Sequence, residues 1–256
     1  MGDSKNRDPA IHRVPGSGRY VGRPFRRVDG RDKVTGVTRF ADDLEFPRMC
    51  YLRLVRSTIP HGRIVSIDFG TAEKIDGYLG SLIGTEMPET FGILPVSQDE
   101  HALCLDRVRF VGDPVAAVAA TSDDAAYEAA LRVEVEYEPL ATIASVEEAL
   151  TTPEPRIHEY GTEGNIHKKV SLRFGDLQEG FDEADLILED QVFYEGNNHL
   201  ALEQHATVAV PEDVDRITVY SSTQTPHYLH RALTRVLGIP GSRIRVVATP
   251  NGGGFG

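Results

Sequence analysis

The residues best equipped for chemistry lie between Ser221 and Gly256. Gln224 carries a neutral amide that both donates and accepts hydrogen bonds. It stands in the run Ser-Ser-Thr-Gln-Thr-Pro, where Thr225 suits a helix N-cap and Pro226 the first helical position. Gly252, Gly253 and Gly254 follow further on, then Phe255 and Gly256. Three adjacent residues without a Cβ allow φ > 0 and let backbone N–H groups come close to a ligand. An amide side chain and a row of backbone donors are the parts of a site for a cofactor or an oxyanion. A flexible hairpin turn is the alternative that the loop alone leaves open.

Other polar residues are weaker candidates. His227 and His230 are three apart on one expected helix, but no His-Glu-x-x-His pattern accompanies them, so surface and core roles are favoured over metal binding for them and for His199 and His205. His61 is read as a turn-capping residue. Glu203 is expected to bond backbone, with a substrate-lining role as the minority reading.

The elements that must position these residues follow from periodicity. Ile244 to Val247 is a β-branched run and reads as a buried strand that delivers the glycine loop. Ile217 to Ser221 is a strand that delivers Gln224. Between them Leu229, Ala232, Leu233, Val236 and Leu237 share one helical face. Upstream, strands are expected over Val37 to Phe40, Met49 to Ser57, Ile64 to Asp68, Val133 to Tyr137 and Leu186 to Tyr194. Arg107 to Ala120 reads as strand, tight turn, strand. Ser122 should cap a helix rich in alanine, Ser145 and Glu148 form a capping-box pattern, and Asp176 should cap another helix. Residues 1–30 form a basic, Gly- and Pro-containing arm, 31–140 an α+β domain, 141–165 a linker, and 166–256 the start of a second domain. Proteolysis is expected first near Thr151 to Pro155 or in the arm.

These motifs together resemble the xanthine dehydrogenase/aldehyde oxidase family of molybdenum hydroxylases. The likeness rests on Asp29-Gly, Lys33-Val-Thr-Gly and Ala41-Asp near the start, Phe110-Val-Gly-Asp-Pro-Val-Ala-Ala-Val118, the Gln224 turn, and Gly252-Gly-Gly-Phe-Gly256. The segment Phe91 to Leu103 is most like the branch of 4-hydroxybenzoyl-CoA reductase alpha subunits. The resemblance implies an α+β chain: the family's α/β hammerhead domain followed by the first part of its molybdopterin-binding domain. It implies a molybdenum–molybdopterin cofactor, in the cytosine dinucleotide form, contacted by Gln224, Gly252, Gly253, Gly254, Phe255 and Gly256, with Gln224 bonding an oxygen on the metal. It also implies a small aromatic, heterocyclic or aldehyde substrate, and separate iron–sulfur and FAD subunits as partners. The family's subunit is several hundred residues longer, so the chain is expected to be an N-terminal portion that is inactive alone. A non-catalytic interaction module that keeps the hammerhead is the alternative.

Composition agrees with the partner expectations. The chain has 256 residues and a formal net charge of -12, which gives no bias toward nucleic acid or an anionic membrane. The sequence holds no apolar run of membrane-spanning length and no signal-peptide core at its start, so a cytoplasmic location is expected. Two cysteines, Cys50 and Cys104, fall short of the four thiolates an iron–sulfur cluster usually takes, and both are expected in the core as free thiols.

Overall fold

The computed structural model describes residues 20, 24–93, 97–159, 163–212 and 215–255. Most of the expected arm, part of the Phe91 to Leu103 segment, and Gly256 lie outside the described residues.

The N-terminal half is built on three strands: β1 (Tyr51–Arg56), β3 (Tyr78–Ile83) and, between them, β7 (Pro114–Ala120). Both pairings are antiparallel, with Val55 and Ile83 each opposite Ala116. A second sheet has β2 (Gly62–Asp68) between β6 (Arg107–Val108) and β8 (Glu134–Pro139), and β4 (Thr90–Phe91) pairs with β5 (Glu100–His101). The central strand β7 reads Pro-Val-Ala-Ala-Val-Ala-Ala because it is covered on both faces. Val118 and Ala116 join Val55, Ala72 and Ala129 in one core cluster, while Val115 joins Val108 and Cys104 in another. Val135 packs on both and so links the two sheets.

Helix α2 (Asp123–Leu131) covers this core through Ala126 and Ala129, both wholly buried. The small side chains let its backbone approach the sheet closely. Ser122 caps it as expected, accepting the Ala125 N–H at 3.2 Å. Asp123 in its first turn takes both arms of the Arg53 guanidinium and so ties the helix to β1. An open groove of about 620 Å³ runs beside Leu54, Tyr127, Leu131 and Tyr137. Its lining includes neither Gln224 nor the glycine loop.

Three expectations are corrected. Val37 to Phe40 is not a strand; a short helix, α1 (Gly30–Val34), precedes it, and the extended stretch has no strand partner among the described residues. Leu186 to Tyr194 alternates in sequence but forms no strand, because a strand needs a hydrogen-bonded neighbour and none is present among the described residues. Its apolar side chains are left in solvent, Leu188 at 83% and Phe193 at 87% exposure. Cys104 is buried but Cys50 is exposed, since it lies just before β1 rather than within it.

The region between the halves is held rather than loose. Helix α3 (Val146–Thr151) has Ser145 as its N-cap. Beyond it, the Asn165 amide donates to the Thr152 and Pro155 carbonyls at 2.8 and 3.2 Å and accepts the Ile157 N–H at 2.8 Å. Helix α4 (Leu177–Asp182) follows, with Asp176 accepting the Gln178 and Glu179 N–H groups as its cap. A third three-stranded sheet closes the fold: β9 (Thr207–Glu212), β10 (Arg216–Ser221) and β11 (Ile244–Ala248), with helix α5 (Pro226–Leu237) between the last two. Phe46 packs against Tyr220 at 5.5 Å between ring centroids, joining this sheet to the N-terminal half.

Candidate cofactor site

Strand β10 is the middle of its sheet, antiparallel to β9 and parallel to β11. A parallel neighbour needs a crossover, and α5 supplies it. Ile217 is in register with Ile244 and Ser221 with Ala248, so both strands end at the same edge. The Thr249 N–H donates to the Ser221 carbonyl at 3.1 Å, and the Thr223 N–H donates to the same oxygen at 2.9 Å. The two segments that follow therefore leave the sheet side by side: the Gln224 turn into α5, and Thr249 to Phe255. The carboxyl edge of a parallel pair is where ligands bind in open α/β sheets.

Thr225 stands at the N-cap position of α5 with Pro226 next, but its side chain makes no capping bond. Its hydroxyl is not needed there: the turn is closed instead by the Thr225 N–H donating to Thr223 Oγ1 at 3.1 Å. Leu229, Ala232, Leu233 and Val236 are half-buried along the inner face of α5, and Leu237 is left exposed at its end. Gly238 in the left-handed conformation, φ 63°, ends the helix.

The glycine run packs against side chains at each position. A Cβ on Gly252 would overlap the Glu203 side chain. On Gly253 it would lie 2.5 Å from the Phe255 ring, and on Gly254 it would lie 2.5 Å from the Gln224 amide nitrogen. None of the three adopts a left-handed φ, so the expectation that they serve positive φ is corrected. Their use is the absent Cβ, which admits three side chains against the backbone. Phe255 itself stacks on His199, with centroids 5.0 Å apart and planes at 28°.

Glu203 bonds backbone, as expected, and the bond reaches the glycine loop. Its Oε2 accepts the Gly252 N–H, while its Oε1 is buried with no hydrogen-bond partner among the described residues. Lys33, which the sequence reading did not place near the loop, reaches it too: its ammonium donates to the Asn251 carbonyl at 2.9 Å. The signal for Lys33 was the Lys-Val-Thr-Gly pattern itself. Nothing local marked Glu203, since its partner is 49 residues away.

The histidines do not converge. His230 Nε2 faces the Gly241 carbonyl at 2.9 Å, His227 and His205 are exposed, and His199 lies on Phe255. Among the described residues no group of three or more His, Cys, Asp or Glu could hold a metal ion. His61 does not cap a local turn as expected: it is buried, with Nδ1 at 2.7 Å from the carbonyl of Ala141, 80 residues away. The Cys104 thiol is pushed up to about 12 by burial first and the Asp113 carboxylate second, so it is inert at neutral pH.

A molybdopterin fits what the loop offers. The Gly253 N–H is held by Asn251 Oδ1 at 2.9 Å, but the N–H groups of Gly254 and Phe255 have no hydrogen-bond partner among the described residues. With the Gln224 amide and the idle Glu203 oxygen, the edge presents both donors and acceptors to a group that carries both.

Comparison with known proteins gives this geometry a family. The description "Aldehyde oxidase and xanthine dehydrogenase, a/b hammerhead domain" matches residues 35–141, and "Molybdopterin cofactor-binding domain" matches residues 157–256. The chain is 39% identical over 239 residues to a probable xanthine dehydrogenase subunit of Bacillus subtilis, covering 92% of this chain and 31% of that protein. It is 37% identical to the nicotinate dehydrogenase large molybdopterin subunit of Eubacterium barkeri, covering 92% of this chain and 55% of that one. Quinoline 2-oxidoreductase from Pseudomonas putida 86 superposes with a TM-score of 0.79 at 28% identity, over 90% of this chain and 30% of that one. The chain thus spans between about a third and about half of the curated relatives it matches. The chain belongs to the xanthine dehydrogenase/aldehyde oxidase family and carries the N-terminal region of its molybdopterin-binding large subunit.

Proposed function

We propose that this chain is the molybdenum cofactor-binding portion of an oxidoreductase, and that Gln224 and the loop from Gly252 to Gly256 face that cofactor. The observation that carries the reading is the fit of the Gln224 amide against Gly254 at the edge where β10 and β11 end. When bound, molybdenum–molybdopterin supplies the two-electron chemistry. The protein's own residues bind and orient: Gln224 offers an amide that donates or accepts, Gly254 and Phe255 offer backbone N–H groups, and the Phe255 ring on His199 walls one side. Such preorganised donors act at no reorganisation cost during the reaction.

In this reading the dinucleotide form is the cytosine one. The substrate is a small aromatic, heterocyclic or aldehyde molecule, a class supported by the nicotinate, xanthine, quinoline and aldehyde in the names of the relatives. The resemblance over Phe91 to Leu103 adds 4-hydroxybenzoyl-CoA. Iron–sulfur and FAD chains complete the electron path in this reading, and Cys50 and Cys104 are too few for a cluster of four thiolates within residues 1–256. The subunit wording in the names of relatives supports a multi-chain assembly. A cytoplasmic location belongs to the same proposal, supported by the two free thiols. Residues 31–140 and 166–256 act as separate domains within it. Among the described residues no helix is long and apolar enough to cross a membrane.

The test is co-expression of the chain with the remaining cofactor-domain polypeptide and the electron-transfer chains. Metal analysis should give one molybdenum per chain, and nicotinate, xanthine, quinoline and 4-hydroxybenzoyl-CoA should be assayed for turnover. Absence of molybdenum from the purified assembly would refute the cofactor assignment.

A further inference from the structure

The Asn251 carbonyl and the Gly252 N–H are the two ends of one peptide group. Lys33 donates to the carbonyl oxygen at 2.9 Å, and the Glu203 carboxylate accepts the N–H. In a trans peptide those two bonds point in opposite directions, so a cation and an anion hold the unit from opposite sides. The signs match the peptide dipole: positive charge at the oxygen, negative at the hydrogen. Turning the plane over would set the carbonyl oxygen against a carboxylate and the N–H against an ammonium. The Lys33 side chain is 24% exposed and is itself held by Asp29 at 3.0 Å, which in turn pairs with Arg27 at 2.6 Å.

The consequence runs down the loop. Gly252 lacks a Cβ, which is what lets Glu203 approach. The next N–H, of Gly253, is taken by Asn251 Oδ1. The first two amides of the run are therefore committed to holding the loop, and the two that follow are the ones without partners. We propose that Lys33 and Glu203 are positioning residues that lock the Asn251–Gly252 peptide plane, and so aim the Gly254 and Phe255 N–H groups and set Gly254 against Gln224. Lys33 comes from α1, just ahead of the matched region 35–141, so a residue 218 positions upstream sets the cofactor loop. The proposal rests on the cofactor reading above.

Two measurements separate the lock from that reading. In the full chain without cofactor, labelled with ¹⁵N-glycine, Lys33→Met and Glu203→Leu should each speed exchange of the Gly252 amide by about tenfold or more. Combined, they should do little more than the larger single change, because both act on one plane. Lys33→Arg and Glu203→Gln, which keep a donor and an acceptor, should stay near the unsubstituted chain, and circular dichroism should show all variants folded. In the assembled enzyme, molybdenum per chain should fall severalfold in Lys33→Met and Glu203→Leu and recover in the conservative pair. Unchanged exchange in Lys33→Met, or effects that multiply in the double variant, would overturn the lock. Faster exchange with molybdenum content undiminished would overturn the positioning role. Lack of molybdenum in the unsubstituted enzyme would instead count against the cofactor reading, and the exchange data would still decide the lock.

Discussion

The Gln224 amide occupies the space that a Cβ on Gly254 would need: its nitrogen and oxygen lie 2.5 and 2.9 Å from that position. The relationship couples the two residues, so a change at either should be read at the other. It also explains why the position is glycine although its φ is not left-handed.

In the assembled enzyme, Gln224→Ala should lower turnover by about 10- to 100-fold, the scale of one lost hydrogen bond to a charged group. Gln224 is exposed, so the fold should be unaffected. Gly254→Ala should reproduce the effect by displacing the amide, and Gly254→Val should go further and reduce bound molybdenum. Steady-state kinetics and metal analysis on the three variants check this; normal turnover in Gly254→Ala would argue against the coupling.

Limited proteolysis of the chain should cut first between residues 167 and 200, not at Thr151 to Pro155. The second site is braced by the Asn165 amide, whereas Leu172, Phe174, Leu188 and Phe193 are all more than 80% exposed. Asn165→Ala should then bring cleavage back to the 151–157 stretch. Mass spectrometry of the first fragments decides between the sites.

A thiol reagent at pH 8 should label Cys50 and leave Cys104 untouched until the chain is unfolded. Cys50 is exposed, while the buried Cys104 thiol is pushed up to about 12. A raised thiol value favours the protonated form in the folded state. The stabilisation is therefore complete below the ordinary thiol range and is lost as pH climbs toward about 12. Two equivalents of rapid labelling in the folded chain would contradict the packing of Cys104 under β7.

Asp29 offers the opposite sign. Hydrogen bonds from Arg27 first and Lys33 second lower its carboxyl to about 2. Its contribution should be present above the ordinary carboxylate value of about 3.9 and lost as pH falls through about 2. Carboxyl NMR titration should show the midpoint rising in Lys33→Met while staying below the ordinary range, because Arg27 remains. A midpoint unaffected by Lys33→Met would remove Asp29 from the anchor of the Asn251–Gly252 peptide.

Much of the local structure was legible. Ser122, Ser145 and Asp176 were readable as caps because a cap depends on residues within one turn. Strands β10 and β11 were readable because β-branched runs next to turn residues carry their own signal. The Thr225 hydroxyl was misjudged since a competing turn through Thr223 closes the same corner.

What the sequence determined by itself is a kit of short-range parts: alternating strands, capped helices, an amide before Pro226 and a row of residues without Cβ, in an order that marks the family. Tertiary structure alone decided which parts meet. The parallel pairing of Ser221 with Ala248 brings Gln224 to Gly254, and the fold carries Lys33 across 218 residues to Asn251. It also decided what Leu186 to Tyr194 lacks, since alternation only prepares a strand and a neighbouring backbone must complete it. The physical reason is the same in each case. Periodicity and caps are properties of adjacent residues, whereas a hydrogen bond between distant segments leaves no local pattern at either end.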